Sequence, residues 1–96
     1  MDKKVKTIDQ FVNEYVDGLN VGDTFNARRV ARAYRDYCLG TIGIPRLPYS
    51  DTIQRSLRSR RASVGDVFYF DYSRSVWWKN DHVATKEERD AVGKRG

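Results

Sequence analysis

The chain has little of the chemistry that metal sites and covalent catalysis need. Its 96 residues include one cysteine, Cys38, and one histidine, His82. A single cysteine excludes an internal disulfide, and no cysteine–histidine cluster has the spacing of a zinc site. No glycine-rich phosphate loop or nucleophile–base arrangement occurs. The sequence therefore predicts a protein that is not an enzyme, needs no metal or cofactor, and keeps Cys38 as a small core residue.

Long hydrophobic runs are absent as well. No run approaches the roughly 20 apolar residues that a membrane-spanning helix needs, and no apolar stretch follows the basic N-terminus as in a secretory signal. We therefore expect a cytoplasmic protein with no membrane segment. Apolar residues make up 40% of the chain and charged residues 32%, a balance typical of one small globular domain.

Positive charge is concentrated in the middle of the chain. Residues 26–79 carry eleven basic residues against four acidic ones, or +7, whereas the whole chain carries +5. Residues 1–25 have three lysines and five acids, or −2. A field concentrated in this way favours a polyanionic partner, although a merely solvated basic surface is the alternative.

Two helices are predicted before the centre of the chain. Thr7 and Gln10 have the spacing of a capping box, and apolar residues recur at helical spacing over residues 8–19. Asn26 is a suitable N-cap for the second helix, and Gly40 is a plausible C-terminal stop. The first helix is acidic on its outer side, so we interpret it as scaffold.

A loop at residues 40–48 is expected to follow, because it contains two glycines and two prolines. Its apolar residues Ile42, Ile44 and Leu47 indicate that it packs against the domain. A third helix is expected to begin near Tyr49 or Ser50 and to point Ile53 and Leu57 inward. The polar residues on its outer side and flank are Asp51, Gln54, Arg55 and Arg58.

An aromatic hairpin is predicted next. Residues 67–72 and 76–79 are rich in Val, Phe, Tyr and Trp, as strands are, and residues 71–75 supply the turn. Because successive side chains of a strand point to opposite faces of the sheet, one set of rings is expected to face the core. The other set is expected to be covered by N-terminal residues, the tail or a second subunit, with a stacking platform for single-stranded nucleic acid as the alternative.

The C-terminal segment differs in composition from the rest. Residues 80–96 are polar and lack large apolar side chains, which predicts a mobile tail. The folded domain is accordingly expected to span residues 1–79.

The predicted order of elements is helix, short strand, helix, helix and two-stranded ribbon, an α+β arrangement. It resembles the winged-helix form of the helix-turn-helix DNA-binding domain. The resemblance rests on two segments. The first, Asp23-Thr24-Phe25-Asn26-Ala27-Arg28-Arg29-Val30-Ala31, is similar to the strand and the start of the second helix in that family. The second, Thr52-Ile53-Gln54-Arg55-Ser56-Leu57-Arg58, is similar to its recognition helix. The ribbon from Phe68 to Trp78 looks like the wing.

The resemblance implies sequence-specific binding of double-stranded DNA by a small transcriptional regulator. The N-terminal part of the third helix would enter the major groove. The residues placed nearest the groove are Ser50, Asp51, Gln54, Arg55 and Arg58. Arg28, Arg29 and Arg61 would meet phosphates, and Arg74 near the wing tip would touch the backbone or the minor groove. Arg60 is either a phosphate ligand or a cover for the core.

Two other functions stay open at the level of sequence. The aromatic hairpin offers a surface for a protein partner or a homodimer, which would make the domain an interaction module. Its rings also suit a single-stranded nucleic acid. For Arg32, Arg35 and Arg46 we favour a solvated face over a role in binding.

Overall fold

The computed structural model describes residues 5–71, 76–80 and 85–87. In chain order its elements are α1 (Ile8–Asp17), β1 (Thr24–Asn26), α2 (Ala27–Ile42), α3 (Ser50–Ser63), β2 (Val67–Asp71) and β3 (Val76–Lys79). The described residues thus form an α+β fold with three helices, as expected from the sequence, and the short strand joins the predicted hairpin in one three-stranded sheet. No helix among them is long and apolar enough to cross a membrane. Arg74 lies outside the described residues, as does most of the predicted tail.

The sheet joins the hairpin to the short strand between the first two helices. Its strand order is β1-β3-β2, and both pairings are antiparallel. Trp77 at the centre of β3 is paired with Phe25 on one side and with Tyr69 on the other. The segment predicted to be extended near residues 23–25 is therefore an edge strand that widens the ribbon.

The predicted N-terminal caps are both present. Thr7 Oγ1 accepts the Gln10 amide hydrogen, and Gln10 Oε1 accepts that of Thr7, which completes the capping box of α1. At α2, Asn26 Oδ1 accepts a hydrogen bond from the Arg29 amide at 2.7 Å. Local side-chain chemistry thus determines where both helices begin.

The predicted end of α2 was wrong. The helix continues through Gly40 to Ile42, and Gly43 ends it with a φ of 72°. The Gly43 amide donates to the Leu39 carbonyl at 3.0 Å. Left-handed backbone is accessible to glycine at little cost, so the second of the two glycines ends the helix.

We expect opposite effects from alanine at these two glycines. Gly40→Ala should stabilise the domain by roughly 0.5–1 kcal/mol, because Gly40 is helical and a Cβ there meets nothing within 4 Å. Gly43→Ala should destabilise it by about 1–2 kcal/mol, because an L side chain is strained at positive φ. Urea unfolding of the two variants measures both changes, and a loss at Gly40 would contradict this helix boundary.

The connection between α2 and α3 also differs from the prediction. It comprises residues 43–49, and Ile44 and Leu47 are 57% and 61% exposed. The expectation that these two side chains pack against the domain was therefore wrong. A helix that ends at Gly43 directs the following residues away from the core.

The core lies between the three helices and the inner face of the sheet. Its fully buried residues from the helices include Val12, Val16, Val30, Ile53 and Leu57. The sheet contributes Phe25, Val67 and Trp77 to the same cluster. Cys38 is buried as predicted. The inward direction of Ile53 and Leu57 positions α3, because it turns the opposite side of that helix to solvent.

Candidate nucleic-acid interface

The outer side of α3 is cationic and exposed. Arg55 and Arg58 lie one turn apart on this side, as the sequence predicted, and Ser50 and Asp51 are exposed at its N-terminal end. Neither arginine forms an ion pair or a side-chain hydrogen bond with any other described residue. Two guanidinium groups are therefore available to an external anion or to a base edge.

Gln54 does not belong to this exposed side, and its predicted place at the groove was wrong. Its side chain is 5% exposed. Trp77 Nε1 donates to Gln54 Oε1 at 2.7 Å, and Gln54 Nε2 donates to Tyr69 Oη at 3.0 Å. Gln54 follows Ile53 on the helix and faces the sheet. These hydrogen bonds make its burial possible, because a buried amide is stable only when its polar atoms are hydrogen-bonded.

Arg60 is the centre of a buried ionic cluster. Its side chain is 7% exposed. Arg60 Nε and Nη2 donate to the two carboxylate oxygens of Asp66 at 3.0 and 2.7 Å. Nη2 also donates to Asp17 at 2.7 Å, and Nη1 donates to the Asn13 carbonyl at 3.2 Å. Arg60 therefore ties α3 to α1 and to the start of β2, and it is unavailable to a phosphate.

Lys79 completes this cluster from the end of β3, because its Nζ donates to Asp66 Oδ2 at 2.5 Å. Burial by itself would raise the pKa of Asp66, but hydrogen bonds from Arg60 and then from Lys79 outweigh burial and lower it. The hydrogen bond to Asp66 also raises the pKa of Arg60. Asp66 and Arg60 therefore both stay charged at neutral pH.

Arg61, the neighbour of Arg60, points to the surface. It is exposed, and its Cζ lies 5.9 Å from the centroid of the Trp77 ring. No described acidic residue pairs with it. A guanidinium over an aromatic ring is held by a weak cation–π interaction. Arg61 thus keeps its charge on the surface at the C-terminal end of α3, in agreement with its expected exposure.

Arg28 and Arg29 lie in the first turn of α2, and both are exposed. The first amide groups of a helix have no intrahelical acceptor, and Asn26 satisfies only the one at Arg29. The two arginine side chains and the N-terminal end of the α2 dipole are therefore all positive. Arg35, by contrast, pairs with Asp36 at 3.1 Å.

A polar cleft of about 390 Å³ separates the N-terminal end of α1 from α3. Arg55 contributes one of its walls, and the Asp9 carboxylate on the other wall accepts a hydrogen bond from Ser56. The remaining lining residues are Thr7, Ile8, Thr52 and Ser59. Arg55 therefore borders this cleft in addition to being exposed on α3.

The described aromatic residues of the ribbon are mostly covered. Trp77 is fully buried on the core side, where its ring stacks on that of Tyr69 at 4.7 Å. On the other side Phe68 is also buried, and its ring lies 5.6 Å from that of the half-buried Trp78. Among these four residues, no fully exposed ring is present for a stacked base.

Exposed apolar residues are found instead around the α2–α3 connection. Leu39, Ile44, Leu47 and Tyr49 are all exposed, and Tyr49 reaches 85%. We call these four residues the apolar strip. The sequence did not reveal this strip, because Ile44 and Leu47 are apolar residues of the types found in cores. Only the outward direction of their side chains shows that they are not part of the core.

The sequence matches no protein-family model, and comparison with curated proteins and with solved structures yields no significant match.

Proposed function

We propose that this protein binds double-stranded DNA in a sequence-specific manner, as a small transcriptional regulator of the winged-helix type. The observation that carries the proposal is the exposed side of α3, where Arg55 and Arg58 have no described acidic partner. The opposite side of the same helix is anchored to the core by Ile53 and Leu57. A helix that is anchored on one side and has two guanidinium groups without a described partner on the other suits a duplex.

The arrangement of elements supports the winged-helix part of the proposal. The three helices are followed by a hairpin, and the strand before α2 pairs with the second strand of that hairpin. In this arrangement α3 is the recognition helix and the β2–β3 hairpin is the wing. Arg74 lies between β2 and β3 in the sequence, outside the described residues, and the proposal assigns it to the DNA backbone or the minor groove.

The base contacts follow from the residue types on α3. A major groove about 12 Å wide accepts one helix. Arg55 and Arg58 can each donate two hydrogen bonds to a guanine, and Asp51 can accept one from a cytosine amino group. Ser50 is at the same end of the helix and can contact either a base or a phosphate. Gln54 is excluded from this set by its burial.

Phosphate contacts are assigned to three other exposed cations. Arg61 lies beyond the base-reading part of α3, and Arg28 and Arg29 lie at the N-terminal end of α2. Each neutralised phosphate releases counterions, so the binding constant falls as salt rises. These three contacts alone would give a log–log slope of about −3, and each further phosphate contact would add about −1. Titrating a randomised duplex at several salt concentrations tests the proposal, and no duplex binding at low salt would refute it.

Arg55→Ala and Arg58→Ala should each weaken binding to a selected duplex by roughly 1–3 kcal/mol if the residue reads a base. A duplex selected from a random library with the wild-type protein is the probe, and fluorescence anisotropy measures the affinity. Arg35→Ala is the matched control, because Arg35 lies on α2 and is already paired with Asp36. Equal losses in all three variants would show that only net charge matters.

A protein-interaction module is the second candidate, and the apolar strip favours it. Several exposed apolar side chains around one connection can serve as a contact site for a partner protein. The strip replaces the aromatic hairpin as the favoured protein-binding surface, because the described rings of the hairpin are largely covered. Sedimentation of the wild type and of Leu47→Ser distinguishes self-association from a monomer. Competition with single-stranded DNA of the same sequence tests the third possibility, a single-strand binder.

A further inference from the structure

Gln54 bridges α3 and the sheet through one side-chain amide. Its oxygen accepts from Trp77 on β3 at 2.7 Å, and its nitrogen donates to Tyr69 on β2 at 3.0 Å. The two rings that it contacts are paired across the strands and stacked on each other. One residue of α3 therefore makes a directional contact with both strands of the hairpin.

We propose that Gln54 is a positioning residue, which fixes the rotation of α3 on the sheet and thereby aims Arg55 and Arg58 at the bases. The inference rests on the proposed function, because it concerns how accurately the same cationic side is presented to a duplex.

The physical reason is the difference between directional and non-directional contacts. Ile53 and Leu57 hold α3 against the core, but hydrophobic burial depends on area and scarcely on angle. Hydrogen bonds weaken steeply when they are misaligned. Arg60 supplies such bonds near the C-terminal end of the helix. Gln54 supplies them near the N-terminal end, which is the part proposed to meet the bases.

A small rotation would be enough to disturb recognition. Side-chain tips lie about 5–6 Å from the axis of a helix, so a rotation of about 20° moves them by about 2 Å. Binding constellations tolerate only about 0.5 Å and 10–20°. Arg55 is the next residue in the chain, and Arg61 rests over the Trp77 ring that Gln54 holds. Loss of the bridge would therefore affect the placement of several cations together.

Gln54→Leu removes both hydrogen bonds at similar volume, and the test compares two duplexes. One is the duplex selected with the wild-type protein, and the other has the same length and composition in scrambled order. We expect Gln54→Leu to bind the selected duplex about ten times more weakly. Binding to the scrambled duplex should stay within about twofold, since the charges that dominate it are unchanged.

Gln54→Glu is the conservative variant. A glutamate can accept from Trp77 and share a proton with the Tyr69 hydroxyl in either protonation state, so discrimination between the duplexes should largely return. In a background that carries both Arg55→Ala and Arg58→Ala, Gln54→Leu should cost little more, because the residues that it aims are gone. Tyr69→Phe removes one partner of the bridge and should shift discrimination in the same direction if Gln54→Leu fails to fold. Circular dichroism confirms that each variant is folded at the assay temperature.

The outcomes separate the two claims. If the wild type discriminates and Gln54→Leu discriminates equally well, or loses affinity for both duplexes alike, the positioning role is overturned and DNA binding stands. If the wild type binds no duplex or does not discriminate, both claims fall.

Discussion

Replacing Arg60 with alanine is expected to destabilise the domain by about 3–5 kcal/mol, one of the two largest losses we expect from a single substitution in this chain. Removal of the guanidinium leaves the buried Asp66 carboxylate with Lys79 as its remaining described cation. It also breaks the hydrogen bonds to Asn13 and Asp17 that hold α1 against α3. Small domains are stable by only about 5–15 kcal/mol, so the variant should be close to unfolding.

Urea unfolding followed by circular dichroism measures this change. Arg61→Ala is the matched control, because it removes the same group from the adjacent exposed residue and should cost less than about 1 kcal/mol. Combining Arg60→Ala with Asp66→Asn should cost less than the sum of the two single changes, since the partners share one cluster. A loss at Arg60 no larger than that at Arg61 would contradict the buried cluster.

The stability that the ionic cluster contributes decreases at acidic pH. The folded-state pKa of Asp66 lies below its ordinary value of 3.8. Its contribution to stability is therefore present above about pH 4 and is lost as the pH falls through the folded-state pKa. The Arg60→Ala variant should lack much of this acid dependence.

Trp77→Ala should destabilise the domain by a similar amount, about 3–5 kcal/mol. Trp77 is the largest fully buried side chain, and it lies on the central strand of the sheet. Its replacement opens a cavity next to Phe25 and Tyr69, and it leaves the Gln54 amide oxygen without the indole donor. Both consequences add to the lost burial.

Trp78→Ala provides the comparison, since Trp78 is the next residue but is only half-buried on the other side of the sheet. We expect a loss of no more than about half that of Trp77→Ala, in proportion to the smaller buried area. Thermal unfolding of both variants decides the matter. Equal losses would show that the two sides of the ribbon are covered to the same extent.

Local patterns in the sequence were sufficient for the starts of the first two helices and for the exposure of Arg55 and Arg58. Thr7 and Asn26 cap their helices because their side chains reach amides three residues ahead, which is an interaction within one turn. The spacing of Ile53 and Leu57 determines that Arg55 and Arg58 face solvent. Composition indicated the strands of the hairpin, and the helical pattern around Cys38 indicated its burial.

The burial or exposure of several other residues depends on their position in the fold. Gln54 and Arg60 are polar by composition, and only the distant residues Trp77, Tyr69 and Asp66 make their burial favourable. Ile44 and Leu47 are apolar by composition, yet the end of α2 at Gly43 directs them outward. The sequence by itself determined which segments are helices or strands and where positive charge accumulates, because those properties depend on near neighbours. Tertiary structure alone decided which of the polar residues on α3 are free to bind, because that depends on partners far away in the chain.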